Sequence, residues 1–259
     1  MSDLLAETHD NVLTLTLNRP ERLNAMSPAM RESLLEVLTE QSTEPSVRAV
    51  LIRANGRGFC TGADVEPAQI LARRANIGEQ VENGINRIIG LLCSLPLPVI
   101  AAVNGPAAGA GVSLALASDL MLVNRDAEFH LAFARIGAVM DGGSSWFLSR
   151  AIGPRRTAAL ALSGGSFSAE EALEWGLACK MTDNETLWSE AARMAEKLAA
   201  GPTLAQGLIK KEIAMAATLE LGGALSLEAE CQQIAFNSDD FAEAIRARQD
   251  KRTPHFSGH

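Results

Sequence analysis

Two stretches of this 259-residue chain combine small residues and backbone turns in a way that suits chemistry at a polarised oxygen. The first, 98–119, reads Pro-Val-Ile-Ala-Ala-Val-Asn-Gly-Pro-Ala-Ala-Gly-Ala-Gly-Val-Ser-Leu-Ala-Leu-Ala-Ser-Asp. Val99 to Val103 is a continuous apolar run of the length of a strand buried on both faces. Asn104-Gly105-Pro106 breaks it. Ala107, Ala108, Gly109, Ala110 and Gly111 follow, and then Val112, Leu114, Ala115 and Leu116 read as a buried helix. This order brings a helix N-terminus to a sheet edge with almost no side chain over it. Free backbone N–H groups there face any approaching anion or polarised carbonyl. Small residues also serve close helix–strand packing, and the stretch alone leaves both readings open.

The second stretch is Asn55-Gly56-Arg57-Gly58-Phe59-Cys60-Thr61-Gly62-Ala63-Asp64-Val65, directly after a strand-like run. Asp64 reads equally as a functional acid and as the cap of the following helix. Both loops follow strands expected to be parallel, so both leave one side of the sheet and can face each other. Two backbone N–H groups aimed at one oxygen form an oxyanion hole, and losing one donor costs about 10²–10³ in rate.

The elements that must position these loops alternate along the chain. Val12 to Leu17 alternates Val/Leu with Thr, a strand pattern ended by Asn18-Arg19-Pro20. Ser27 as N-cap and Pro28 at the first position open a helix with Met30, Leu34, Val37 and Leu38 on one face. Ala49 to Ile52 is a buried strand, a mixed-charge helical region runs from about Gln69 to Cys93, and Leu120–Val123 and Glu128–Leu131 are short strands. Alternating strands and helices imply an α/β core with parallel strands and right-handed crossovers. From Gly142 the chain is mostly helical, with helices expected from Ser168, over 185–199, 203–219, 225–236 and 239–249. The division expected is a core over 1–198 and a helical C-terminal part over 199–259.

Composition narrows the function. Lys and Arg number 23 against 31 Asp and Glu, for a net charge of −8 and a pI near 5.1. Such an acidic chain lacks the footprint of a nucleic-acid binder. The four cysteines, Cys60, Cys93, Cys179 and Cys231, fit no zinc or redox spacing and read as reduced thiols of a cytoplasmic protein. Residues 1–10 lack the pattern of a signal peptide, and no apolar run is long enough for a bilayer. No metal site and no membrane partner are expected.

The wording of four segments is more specific: Leu17-Asn18-Arg19-Pro20 with Leu23-Asn24-Ala25-Met26, Gly58 to Asp64, Pro98 to Asp119, and Ile136-Gly137-Ala138-Val139-Met140-Asp141-Gly142-Gly143. In their order and spacing the chain resembles the enoyl-CoA hydratase/isomerase (crotonase) superfamily along essentially its whole length. The resemblance implies a crotonase-like spiral of ββα units with a helical C-terminal trimerisation part, giving homotrimers or hexamers. It implies an acyl-CoA thioester substrate, coenzyme A arriving as part of that substrate and no separate cofactor. By position, the oxyanion donors would be the N–H groups of Ala63 and Ala110. Arg22, Ala25, Thr61, Asp64 and Val65 would line the coenzyme A side, and Lys251 and Phe256 would reach a coenzyme A from the tail, including one held by a neighbouring subunit.

The resemblance also shows what is missing. The two glutamates of the family's hydratases fall at Ser113 and Phe133, and neither residue serves as a base at neutral pH. That argues against ordinary water addition. One acid remains, Asp141, at a position where several branches of the family place an aspartate. The segment from Phe133 to Leu148 looks most like the phenylacetyl-CoA-pathway isomerases, with Met140 where a proline is usual. One carboxylate suffices to take a proton from one carbon and return it to another. The expected reaction is a double-bond migration, or the opening of a ring epoxide, through a thioester enolate. The alternatives are an enoyl-CoA hydratase-like activity, a coenzyme A-thioester hydrolase or dehalogenase using Asp141 as nucleophile, and a non-enzymatic acyl-CoA binder. Against any catalytic role, Asp141 also reads as the cap of a helix beginning at Gly142. Trp146 and Trp175 read as core and Trp188 as packing in a helix.

Overall fold

The computed structural model describes residues 2–41, 46–64 and 74–259. A six-stranded sheet runs in the order β1 (Leu4–His9), β2 (Val12–Leu17), β3 (Ala49–Ala54), β4 (Val99–Val103), β6 (Leu120–Asn124) and β9 (Lys180–Thr182). Only the β1–β2 pair is antiparallel; the remaining pairings in this sheet are parallel. A second, three-stranded sheet joins β5 (Ala107–Ala108), β7 (Glu128–His130) and β8 (Ser166–Ser168).

Two isolated parallel bridges, Met26 with Ala63 and Cys60 with Ala107, extend the logic of the second sheet. Each of β2, β3, β4 and β6 is thus followed by a short extended segment of its own: Met26, Cys60–Ala63, Ala107–Ala108 and Glu128–His130. A strand, a second short strand and a helical segment make one turn, and successive turns stack. This is the expected spiral of ββα units, seen as register.

The side chains follow the pleat. In β4 every residue is buried: Val99, Ala101 and Val103 face one cluster, Ile100 and Ala102 the other. The first cluster is closed by α1 (Pro28–Gln41), through Met30, Leu34 and Leu38, and by the helical run over 77–94. Ser27 caps α1 as expected, its Oγ accepting the Met30 N–H at 3.0 Å. The second cluster is closed by one long helix, Asn184–Ala199, which sets Leu187, Ala191, Ala195 and Ala199 against the sheet at four-residue intervals. Among the described residues, no helix is long and apolar enough to cross a membrane.

Several expectations change. β1 does not show in the sequence because it is an edge strand with only Leu4 buried, so no apolar alternation marks it. It turns into β2 through Asp10 and Asn11, both at positive φ, the conformation a two-residue hairpin requires. The helical region before β4 is described from Arg74 onward and is not one regular helix. α2 (Ile77–Val81) passes through a π turn (Glu82–Asn86) into α3 (Arg87–Ser94). Its expected start near Gln69 lies outside the described residues. Trp146 is not core: it is 45% exposed, with Arg150 stacked over its ring at 4.0 Å. Trp175 does pack on the core beside Phe167.

Candidate active site

The loops after β3 and β4 meet. In the Met26–Ala63 bridge, Met26 N–H donates to Gly62 O at 2.7 Å and Asp64 N–H donates to Met26 O at 3.1 Å. Strand alternation then turns the Ala63 N–H the other way, toward the β5 side. Ala110 is the first residue of α4 (Ala110–Leu116), where an N–H has no partner within the helix. Neither N–H donates to another described residue. Gly62, at φ +87°, holds the two loops in contact: a Cβ there would stand 2.9 Å from Ala108 O and 3.3 Å from the Ala110 nitrogen.

Close packing explains the neighbouring glycine. A Cβ on Gly111 would stand 2.0 Å from Cys60 O, so α4 lies this near only with glycine there. The two readings of the small-residue run therefore belong to different residues, Gly111 to packing and Ala110 to the free donor. Cys60 itself is fully buried and its thiol is pushed up to about 12, which removes it as a nucleophile.

A brace stands behind the first loop. Arg19 Nη1 contacts Asp64 Oδ2 at 2.8 Å and also donates to Ala25 O at 2.7 Å, while Arg22 Nη2 reaches Asp64 Oδ1 at 3.6 Å. Thr61 N–H donates to Leu23 O at 3.2 Å. Arg22, Ala25, Thr61 and Asp64 are thus brought together, as expected, and the Asp64 carboxylate is engaged by arginines. Val65 lies outside the described residues. Sequence reasoning missed two residues of this brace, Arg19 and the one that orders the loop around it, Asn24. It is fully buried at φ +55°; its Oδ1 accepts Arg19 N–H, and its Nδ2 donates to Asn55 O and Gly58 O, each at 2.8 Å. A polar residue needing a left-handed conformation between Leu23 and Ala25 is the signal that could have found it.

Asp141 lies against α4 at Ser113, three residues along that helix from Ala110. Ser113, fully buried on α4, donates its Oγ–H to Asp141 O at 2.9 Å. The following helix, α5 (Ser144–Ala151), starts later than expected and has Gly143 as its N-cap, because Gly142 and Gly143 both take positive φ. The Asp141 side chain therefore caps nothing. Its Oδ1 is buried and has no hydrogen-bond partner among the described residues. Burial pushes its carboxyl above the ordinary value, and its own backbone amide offsets part of that. Phe133 closes the other side of the turn, its ring 3.7 Å from where a Gly109 Cβ would stand.

These segments and this topology agree with what is known of similar proteins. The family model described as enoyl-CoA hydratase/isomerase matches residues 7–259. The chain belongs to the enoyl-CoA hydratase/isomerase family. It is 41% identical to the 1,2-epoxyphenylacetyl-CoA isomerase of Escherichia coli (strain K12), over 100% of this chain and 99% of that protein. It is 31% identical to the trans-2-decenoyl-[acyl-carrier-protein] isomerase of Streptococcus mutans, over 99% of this chain and 98% of that protein. The solved enoyl-CoA hydratase from Polaromonas sp. JS666 superposes with a TM-score of 0.90 at 32% identity, covering 98% of this chain and 99% of that one.

The C-terminal tail of this family member does not join the loops within the chain. Arg48, just before β3, donates to Phe256 O at 2.9 Å, and Asp240 accepts the N–H groups of Ser257 and Gly258 at 2.6 and 2.9 Å. Phe256 is thereby fixed at the N-terminal end of β3, whereas the Cys60–Ala63 loop follows its C-terminal end. Lys251 ends the last helix, Asp239–Asp250, at φ +54° and is exposed. A groove of about 560 Å³ lies at the tail's end of the sheet, lined by Val47, Leu95, Thr203, Lys211 and His259 among others and by none of the expected site residues. Among the described residues, no group of His, Cys, Asp or Glu is placed to hold a metal ion.

Proposed function

We propose that this protein is an acyl-CoA isomerase that moves a double bond, or opens a ring epoxide, with Asp141 as its single base. The Ala63 and Ala110 N–H groups hold the thioester oxygen. Asp141 takes a proton from the acyl chain, and electron density moves onto that oxygen as the enolate forms. The same carboxyl, its proton exchanged with solvent, then delivers one to a different carbon, so the product has the composition of the substrate. The Ala63 and Ala110 donors favour the enolate over the ground-state carbonyl, the condition for acceleration.

One observation carries the reading: among the described residues, the buried carboxylate oxygen without a hydrogen-bond partner is Asp141 Oδ1, and the backbone of this acid is tied to Ser113, three residues along the helix that begins at Ala110. The positions that the family resemblance gives to hydratase glutamates hold Ser113, whose hydroxyl is spent on Asp141 O, and the aromatic ring of Phe133. The isomerase named among the relatives at 41% identity supports the same choice and points to aryl and epoxide substrates of phenylacetate catabolism. The relative named for an acyl-carrier-protein substrate makes the carrier a second variable to test. Exposed apolar side chains on the C-terminal helices, Ile209, Ile213, Leu225 and Phe236, support assembly as a homotrimer or hexamer.

The test is incubation in D2O with enoyl-, dienoyl- and aryl-CoA esters, followed by chromatography and mass spectrometry. Deuterium in the acyl chain without a gain of water, lost in Asp141→Asn, is the expected result. Products heavier by one water favour a hydratase, and an acyl adduct on Asp141 favours a hydrolase or dehalogenase; either would overturn the isomerase reading.

A further inference from the structure

Asp141 Oδ1 has no partner from another described residue, and the hydrogen bonds that hold this residue to its neighbours are made by its backbone. The peptide group joining Asp141 to Gly142 is held at both ends. Its carbonyl oxygen accepts Ser113 Oγ–H at 2.9 Å, Ser144 Oγ–H at 2.9 Å and Ser144 N–H at 3.1 Å. Its N–H donates to Asn86 Oδ1 at 3.1 Å. A peptide plane fixed at oxygen and nitrogen cannot rock about its long axis. That anchors the plane from which the Asp141 Cα–Cβ bond departs, and so limits where its side chain can reach.

Asn86 is the last residue of the π turn Glu82–Asn86. Such a turn adds a residue to one helical winding and re-aims those around it; π turns collect at functional positions. Here the winding also brings Ile85 against the glycine. A Cβ on Gly142, at φ +55°, would stand 2.7 Å from Ser113 Cβ and 3.1 Å from Ile85 Cγ1. The acid is therefore clasped between α4 and the π turn. The two ends of the clasp are unequal. The carbonyl has three donors and keeps two if one is lost, whereas the N–H has one acceptor, Asn86.

We propose that Asn86 is a positioning residue for the reaction, holding the Asp141–Gly142 peptide so that the carboxylate points at the substrate. This rests on Asp141 being the base. A displaced catalytic group can lose about 10²-fold in rate without any change in chemistry.

The experiment compares steady-state kinetics of Asn86→Ala, Asn86→Leu and Asn86→Asp with Asp141→Asn, on the substrate found in D2O and above the acid limb of the rate profile. Asn86→Ala and Asn86→Leu should lower kcat about 10- to 100-fold with KM within about twofold. Asn86→Asp keeps the shape and an oxygen acceptor and should restore most of kcat. An inactive Asp141→Asn beside an Asn86→Leu at native kcat would overturn the positioning role alone. So would an Asn86→Asp as slow as Asn86→Leu, since the acceptor would then not matter. A fully active Asp141→Asn would overturn the base assignment and this inference with it.

Discussion

Around Asp64, both carboxylate oxygens meet guanidinium groups, Arg19 at 2.8 Å and Arg22 at 3.6 Å. Around Asp141, one oxygen is buried with no partner among the described residues, and the hydrogen bonds nearby go to its main chain. Both acids flank the place where the Cys60–Ala63 loop meets α4. The first is a joint: it ties the 19–25 segment to the 61–64 segment, and its charge is spent there. The second has its backbone tied and its charge left free. An acid that must give and take a proton cannot also be a strut, because each firm partner would bias it toward one protonation state. The contrast predicts that the same substitution, Asp to Asn, has opposite consequences at the two positions.

The largest effect expected is on turnover. Asp141→Asn should lower kcat about 10²–10⁴-fold, the range of a lost general base, while binding of a non-reactive coenzyme A ester stays near native. Asp64→Asn should keep kcat within about tenfold. Stopped-time assays and a thermal-shift titration of both variants separate the two effects. If Asp64→Asn proves the slower enzyme, the joint is the catalytic acid and the assignment reverses.

Gly62 is where the braced loop meets the donor turn, so it links the two regions. Gly62→Ala meets a positive φ, and its Cβ stands 2.9 Å from Ala108 O and 3.3 Å from the Ala110 nitrogen. Moving Ala110 or Ala63 off the oxygen should cost about 10²–10³ in kcat, the cost of one oxyanion donor. Affinity for free coenzyme A should change little. Affinity falling with kcat unchanged would show that the loop serves binding alone.

Asp64→Asn should be felt in stability instead. Arg19 is 15% and Asp64 20% exposed at the side chain, so the lost charge-assisted contact is worth about 1–3 kcal/mol. Arg22, half in solvent, adds little. A melting temperature several degrees below native is expected, and one within a degree would mean that the brace is held by Asn24 alone.

How far these roles show in the sequence depends on whether a role is local. The β4–turn–α4 unit is legible because its apolar run, break and small residues are contiguous, and the Ser168 cap with Glu171 at 2.9 Å is legible for the same reason. Ser113 and Phe133 are legible as absences of acid, through the family pattern. The tie between Asn86 and Gly142 spans 56 residues, and a π turn leaves no periodic trace, so nothing in the string of letters marks either. Asp141 reads as a helix cap until two positive-φ glycines are seen to delay α5 to Ser144. Trp146 reads as core because an aromatic in a helix usually is, but its ring meets Phe147 and Arg150 of its own helix and stays 45% exposed.

The smallest effect is the most diagnostic, because its sign is set by physics. Burial raises the Asp141 carboxyl above its ordinary value, so the folded chain binds this proton more tightly than the unfolded chain does. Stability from this group therefore falls as pH rises from the ordinary aspartate range through the raised folded value, and the loss is complete above it. A neutral amide is cheaper to bury than an unpaired carboxylate. Asp141→Asn should then melt above the native protein at pH 7, with the gain vanishing in acid below the ordinary carboxylate range, where both side chains are uncharged. The catalytic rate of the native protein should show the matching limb, falling as pH drops through a value above the ordinary aspartate range, because only the ionised form accepts a proton. Calorimetry across pH checks the first statement and the pH–rate profile the second. An Asp141→Asn protein that melts below native at pH 7 would show that a favourable partner holds this carboxylate, and the distinction between strut and base would fail where it matters most.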